Sequence, residues 1–278
     1  MSGLGHNTPR AITSLTNERV KFVRSLELRK TRRDSGLFVA EGASILITAA
    51  EHGHHPETLL YRGGSARSGP ARDLLDQALK RGAEVLEVSP AILEKLASKD
   101  NPQTVLGVFR QHWAPAPVPA AVKADATWLA LEEIRDPGNL GTIIRTADAV
   151  GASGIILAGT CCDAWSRECV RATMGSIFAV PLVRMTHEEF VALLKSWPGD
   201  TIATHLAARD DFRSVKYREP ALLVMGGEGP GLSEAAARAC ARRVKIPMAG
   251  HLDSLNLAVA TALALYQIRG PHLGVNQR

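Results

Sequence analysis

The sequence predicts an α/β protein of two units, the second built on a mostly parallel sheet. Three observations predict it. Short aliphatic or β-branched runs alternate with longer stretches of helical apolar periodicity along the chain. Several runs in the second half are apolar almost without interruption, as strands covered on both faces are. Between the halves, Trp113 to Val122 reads W-A-P-A-P-V-P-A-A-V. Its three prolines disfavour helix and central strand and make an extended spacer. The expected organisation is a unit over 12–112, a Pro/Ala linker over 113–126 and a larger unit over 127–278.

In the first unit, Asn17 to Arg33 reads as one helix with Val20, Val23 and Leu26 on one side. Strands follow at 37–40, 58–61, 84–88 and 105–109, with helices at 43–51, 71–81 and 90–98 between them. In the second unit, strands are expected at 128–134, 154–158, 201–203, 221–225 and 243–246. The helices between and after them span 140–150, 166–174, 187–195, 234–242 and 255–269. This repeated alternation implies helices on both faces of the sheet.

The bulk numbers narrow the function classes. Of 278 residues 45% are hydrophobic and 22% charged, which excludes a disordered or fibrous chain. The net charge of +5 is compatible with a polyanionic partner and equally with an ordinary solvated surface. Met1 to Arg10 holds no apolar signal core, and no run reaches 18 apolar residues, so neither secretion nor a membrane span is expected. Cys161, Cys162, Cys169 and Cys240 form no Cys-x-x-Cys framework. They suit a reduced, cytoplasmic protein, and no metal is expected, at His54-His55 or elsewhere.

Arg19, Lys21, Arg24, Arg29, Lys30, Arg32 and Arg33 face only Glu18 and Glu27 in the first helix. An exposed helix face and a groove for a phosphate backbone both explain such a run. Its short spacing leans towards the groove, where each neutralised phosphate adds salt-sensitive affinity.

Three segments carry chemistry. Asp136-Pro137-Gly138 is turn chemistry after an apolar strand, and Asn139 stands where a helix N-cap belongs. Ile143, Ile144, Ala147 and Val150 make the buried stripe of the helix that follows. Arg145 lies off that stripe, free to project into a cleft. Met225 to Ser233 is a glycine-rich loop after a strand, suited to close backbone approach to a ligand. It lacks the Gly-Lys-Ser/Thr of a P-loop and fails the dinucleotide fingerprint at Leu232, which disfavours a Rossmann oxidoreductase. Ile246-Pro247-Met248 ends a strand, and a helix restarts after Ser254, the expected N-cap, with Asn256 in its first turn. These loops sit where an open α/β sheet receives its ligand.

In order and spacing, Asn139 with Arg145, then Gly226, Glu228 and Gly231, then Ile246-Pro247 with Ser254-Leu255-Asn256, resemble the motifs of the SpoU (TrmH) RNA ribose 2′-O-methyltransferases, within the SPOUT superfamily. Asn17, Val20-Lys21 and the run from Gly36 to Gly42 resemble that family's L30e-like substrate-binding domain. The resemblance implies a trefoil knot in the second unit, S-adenosylmethionine as cofactor, a homodimer and an RNA substrate. The arrangement looks most like members acting on 23S ribosomal RNA, with transfer RNA the alternative. By motif correspondence, Gly226, Ile246, Leu255, Thr204 and Gly231 would hold the cofactor. Arg145, Asn139, Glu228, Ser254 and Asn256 would form the catalytic set, and Arg29, Lys30, Arg32 and Arg33 would meet RNA.

The family assigns the arginine at this position the role of proton acceptor. A guanidinium stays protonated in proteins, so holding a phosphate and stabilising developing alkoxide charge is the preferred role for Arg145. Glu228 has an alternative as a brace for the amides of its own loop. A non-catalytic RNA-binding protein on the same fold is disfavoured by the five polar motif residues, and a base-methylating relative by the pairing of Asn139 with Arg145.

Overall fold

The computed structural model describes residues 8–65, 68–97 and 103–274. Contacts divide the chain into two compact units, Met1–Gln111 with Trp165–Ala179, and His112–Ala164 with Val180–Arg278.

The first unit runs β1 (Arg10–Ile12), α1 (Glu18–Ser25), α2 (Arg29–Ser35), β2 (Leu37–Glu41), α3 (Ala43–Glu51), β3 (Thr58–Arg62), α4 (Pro70–Lys80), β4 (Glu84–Val88), α5 (Pro90–Leu96) and β5 (Val105–Arg110). Its five strands lie in the order β1-β4-β3-β5-β2. β5 runs antiparallel to β2 and β3, and the other pairs are parallel. Leu60, Leu86, Ile92, Leu96 and Leu106 are wholly buried at its centre. The four expected strands are all present. The helix expected over 90–98 ends at Leu96, and Ser98 lies outside the described residues.

The helix expected over Asn17–Arg33 is two helices, and Arg32 closes the break between them. Asn17 Oδ1 caps α1 by accepting from the Arg19 amide at 2.9 Å. At the break, Arg32 turns inward and its Nη1 donates to the carbonyls of Leu26 at 2.7 Å and Glu27 at 2.8 Å. It thereby satisfies carbonyls that the helix end leaves without intrahelical partners. Arg32 is only 5% exposed, so its expected place on an RNA-facing surface is corrected. Arg29, Lys30 and Arg33 are exposed.

Contacts separate the units at Gln111–His112, beside the linker expected at 113–126, and again around residues 165–179. Residues 165–179 belong to the first unit because their aromatics complete its core. Trp165 lies 4.6 Å ring to ring from Phe38, and Phe178 lies 4.9 Å from Phe109.

The second unit contains β6 (Thr127–Glu132), α6 (Pro137–Ala149) and β7 (Gly154–Ala158). The chain then passes through α7 (Arg167–Ala172), part of the first unit, and returns as β8 (Leu182–Met185), α8 (His187–Ser196), β9 (Thr201–Thr204) and β10 (Asp210–Asp211). β11 (Ala221–Gly226), α9 (Glu234–Ala239), β12 (Arg242–Lys245) and α10 (Leu257–Arg269) complete it. The strand order is β10-β12-β9-β11-β6-β7-β8, and every pair is parallel, as expected. From β6 the chain builds outward to β8, then crosses back to build the other side. That reversal falls between β6 and β11, the point where ligands bind at the carboxyl ends of such sheets.

β8 and β10 were not expected. β8 is four residues long and carries Arg184, and β10 is two aspartates, so neither makes an apolar run. Ala258, Thr261, Ala264, Leu265 and Ile268 bury one side of α10. Its other side exposes Val259, Leu263 and Tyr266, spaced as one helical stripe.

Candidate functional site

Two helix caps differ from expectation, and the difference builds the site. Asp136, not Asn139, caps α6: its Oδ1 accepts from the Asn139 amide at 2.5 Å, and Pro137 opens the helix. The Asn139 side chain is thereby free to leave the helix end. Asn256, not Ser254, caps α10, its Oδ1 accepting from the amides of Ala258 at 2.9 Å and Val259 at 3.3 Å. Its Nδ2 donates to Asn139 Oδ1 at 2.9 Å. Asn139 Nδ2 in turn donates to Glu228 Oε1 at 2.8 Å, and Glu228 Oε2 accepts from the Arg135 amide at 3.2 Å. One chain of hydrogen bonds thus joins the loops after β6, β11 and β12. Glu228 braces the turn after β6 and also accepts from its own backbone amide in the glycine loop.

The glycine loop is folded tightly on itself. Gly227 and Gly231 form an antiparallel bridge. A Cβ on Gly226 would lie 2.1 Å from the Gly231 carbonyl carbon and 2.2 Å from the Leu232 amide, so only glycine fits. Gly231 adopts φ +72°, a left-handed conformation that favours glycine although a Cβ there would meet open space.

The end of this loop is pinned by a residue that sequence reasoning missed. Glu132, 2% exposed at the end of β6, accepts from the Ser233 amide and hydroxyl, both at 2.7 Å. His187 Nδ1 lies 3.0 Å from the same carboxylate. The available signal was the acidic pair Glu132-Glu133 closing an apolar strand, since a buried carboxylate must be paired.

A cavity of about 330 Å³ opens between these loops. It brings together Asn139, Thr204, Gly226, Glu228, Gly231, Ile246, Ser254, Leu255 and Asn256. Thr204 Oγ1 lies 3.2 Å from Met225 Sδ in its wall. His205, Leu206, Met248 and Asp253 also line it and were not anticipated. Arg145 does not. It is exposed on α6, outside the cavity of its own chain, so the expectation that it projects into this cleft is corrected. Its position is three residues beyond Thr142 and off the buried stripe, which turns it to solvent.

Electrostatics follow from the geometry. Burial alone would raise the Glu228 pKa, but hydrogen bonds from Asn139, its own amide and the Arg135 amide, with the Arg135 charge, hold it below the usual carboxylate value. Burial, with Cys161, Glu228 and Asp136 nearby, pushes the Cys162 thiol up to about 12. Among the described residues, no cluster of three or more His, Cys, Asp or Glu side chains could hold a metal. No described helix is long and apolar enough to cross a membrane.

The cavity can therefore grip a small ligand through backbone approach and apolar walls, and present a carboxylate-anchored pair of amides to a second group at its mouth. Comparison with known proteins gives a consistent result. The SpoU rRNA Methylase family matches residues 126–266, and the MRM3-like substrate binding domain matches 17–107. The 23S rRNA (uridine(2479)-2′-O)-methyltransferase of Streptomyces viridochromogenes is 33% identical over 276 residues, covering 95% of this chain and 93% of the relative. The 23S rRNA (guanosine(2553)-2′-O)-methyltransferase of Bacillus subtilis is 27% identical, covering 93% of this chain and 99% of the relative. The crystal structure of an AdoMet-bound rRNA methyltransferase from Sinorhizobium meliloti superposes with a TM-score of 0.88 at 41% identity, covering 95% of this chain and 99% of that one.

Proposed function

On the premise that the chain belongs to the SpoU rRNA Methylase family and is an S-adenosylmethionine-dependent RNA ribose 2′-O-methyltransferase, we propose that it methylates 23S ribosomal RNA in the cytoplasm as a homodimer. The observation that carries this reading is the hydrogen-bond chain Asn256–Asn139–Glu228 at the mouth of a glycine-lined cavity. The names of the two relatives above support the ribosomal target.

The residues present fit the cofactor. Gly226 leaves room for backbone to approach where any Cβ would collide, and Ile246 and Leu255 give apolar wall beside the polar Thr204. Gly226, Gly231, Thr204, Ile246 and Leu255, which line the cavity, would hold it. When bound, S-adenosylmethionine supplies a methyl carbon on a positive sulfur, open to in-line attack by an oxygen.

The chain's own residues prepare that oxygen. A ribose hydroxyl is a poor nucleophile at neutral pH and must be oriented as its proton leaves. Asn139 and Asn256, held by ionised Glu228, fix the sugar at the cavity mouth, with Ser254 beside them. Arg145 holds a phosphate next to the reacting sugar and stabilises the developing oxygen charge.

The exposed stripe Val259–Leu263–Tyr266 supports the homodimer, being apolar and continuous on one helix face. α10 packs on α6, so pairing through this face carries Arg145 to the interface. Arg145 then serves the cavity of the second copy, which accounts for its place outside its own. A knotted thread through the loops after β11 and β12 is part of the same reading.

The test is direct. Purified protein is incubated with methyl-labelled cofactor and separated RNA classes, and alkali-resistant linkages are mapped. Label in one 23S dinucleotide resistant to alkali is expected, because a blocked 2′-hydroxyl cannot take part in cleavage. Label in transfer RNA alone, or in an alkali-sensitive position, overturns the proposal.

A further inference from the structure

The first unit holds a second, larger hollow, a cleft of about 1150 Å³ between α1, α3, α5 and α7. Residues 165–179 supply one wall of it, and they lie outside the span matched to the substrate-binding domain. Arg32 and Glu41 are buried in its lining, and Arg167 joins them with a side chain 16% exposed. Arg32 is committed to carbonyls of its own helix corner. Arg167 is different.

Its Nη1 donates to the Leu96 carbonyl, which fixes the guanidinium in place. Its Nε and Nη2 are buried and have no hydrogen-bond partner among the described residues. These two N–H groups point the same way along one edge of the guanidinium, the edge that matches two oxygens of a phosphate or carboxylate. Among the described residues the carboxylate in ion-pair range is Glu27, 3.7 Å from Nη1 and half exposed, and the charge of Glu41 in the same lining also favours the guanidinium. Burial draws the Arg167 pKa down from its ordinary value, as expected of a cation whose charge is incompletely met. A buried donor edge without an acceptor is unfavourable, and here it belongs to a residue that lines the cleft.

Charge at the mouth distinguishes the ligand. Arg24, in the last turn of α1, and Lys95, in α5, are exposed on its rim. Neither has an ion-pair partner among the described residues. Glu94, Glu168 and Arg171 also line the cleft, and a fixed fork at depth with exposed cations outside suits a chain of phosphates better than a single small acid.

We propose that this cleft seats a backbone phosphate of the substrate RNA, gripped by the Nε/Nη2 edge of Arg167, with Arg24 and Lys95 meeting the neighbouring phosphates. The proposal rests on the RNA methyltransferase reading and adds to it a defined anchor remote in sequence from the glycine loop. Glu27 is then a competitor for the same guanidinium.

The experiment is filter binding of a 23S ribosomal RNA transcript to the full-length protein, with cofactor affinity, thermal stability and methyl transfer followed in parallel. Arg167→Lys keeps the charge and loses the fork, and should raise the RNA Kd about tenfold. Glu27→Gln, at an exposed position, removes the competitor and should tighten binding about threefold. Arg24→Gln with Lys95→Gln should lower the slope of log K against log salt by about one to two. Cofactor affinity should be unchanged in all three. An RNA Kd within twofold of the parent in both Arg167→Lys and Glu27→Gln overturns the proposal. Methyl transfer separates the two readings: shifted binding with no methylated RNA sinks the enzymatic reading and keeps the cleft, and normal methylation with flat binding does the reverse.

Discussion

Asn256 Nδ2 donates to Asn139 Oδ1 at 2.9 Å, joining the cap of α10 to the first turn of α6 across 117 residues. The direction of that bond is determined from the far end. Ionised Glu228 can only accept, so it must face the Asn139 amide nitrogen. The Asn139 oxygen is then turned to Asn256, whose own oxygen is left to cap α10. A single negative charge thereby sets the orientation of two amides and presents them to the same cavity.

Asn139→Ala should break this relay at its centre, leaving Glu228 without its side-chain donor and Asn256 without its acceptor. Removing one positioned polar group from an active site costs on the order of 2–3 kcal/mol in the transition state, about a hundredfold in rate. Single-turnover methyl transfer should fall by that factor, with cofactor affinity by calorimetry within about threefold. A loss of cofactor binding as large as the loss of rate would place Asn139 in the cofactor wall instead.

The Glu228 interactions predict an acid-side stability loss. The folded-state pKa lies below the ordinary 4.5, so the carboxylate is the favoured form in the fold. Its contribution is complete above the unfolded value and disappears as the pH falls through the folded one. The stability gap between the parent and Glu228→Gln, from urea unfolding, should therefore be largest near pH 6 and narrow steadily towards pH 3. A gap that widens with acid would mean the shift has the opposite sign.

Gly226→Ala should damage the loop itself. The added carbon would fall 2.1 Å from the Gly231 carbonyl carbon, against backbone that has no rotamer to yield. Overpacking of this kind costs about 1–3 kcal/mol, and here the relief must open the cavity wall. A lowered Tm together with at least tenfold weaker cofactor binding is expected. Retained affinity at a normal Tm would show that the loop can shift without affecting the site.

Much of this was legible in the sequence because the site is written in short, local motifs. Turn residues after apolar runs placed the three loops, and the near-continuous apolar strands gave the parallel sheet. What escaped depends on partners distant along the chain. Arg32 reads as one more cation in a basic run, and only the carbonyls exposed by the break at Leu26 draw it inward. Asn139 and Ser254 are good caps by type, but Asp136 and Asn256 stand at the true helix starts. Residues 165–179 follow a strand of the second unit and nevertheless complete an aromatic core around Phe38, a relation no local pattern encodes.

Arg145 offers the sharpest test of the assembly. It is exposed in its own chain, while Asn139 and Glu228 line the cavity. If it serves a second copy, two inactive variants should restore each other. Arg145→Ala retains an intact cavity but lends no guanidinium, and Glu228→Ala lends one but has a broken cavity. In a mixed dimer, the cavity of the first chain receives Arg145 from the second. Co-refolded in equal amounts, half of the dimers are mixed and each carries one working site of two, so about a quarter of the parent's methyl transfer should return. Each variant alone should stay at background. No recovery from the mixture, with mixed dimers verified by differential tagging, would mean that Arg145 acts within its own chain. Leu263→Glu, placed in the exposed stripe of α10, supplies the complementary result: a monomer that still binds cofactor and no longer transfers the methyl group.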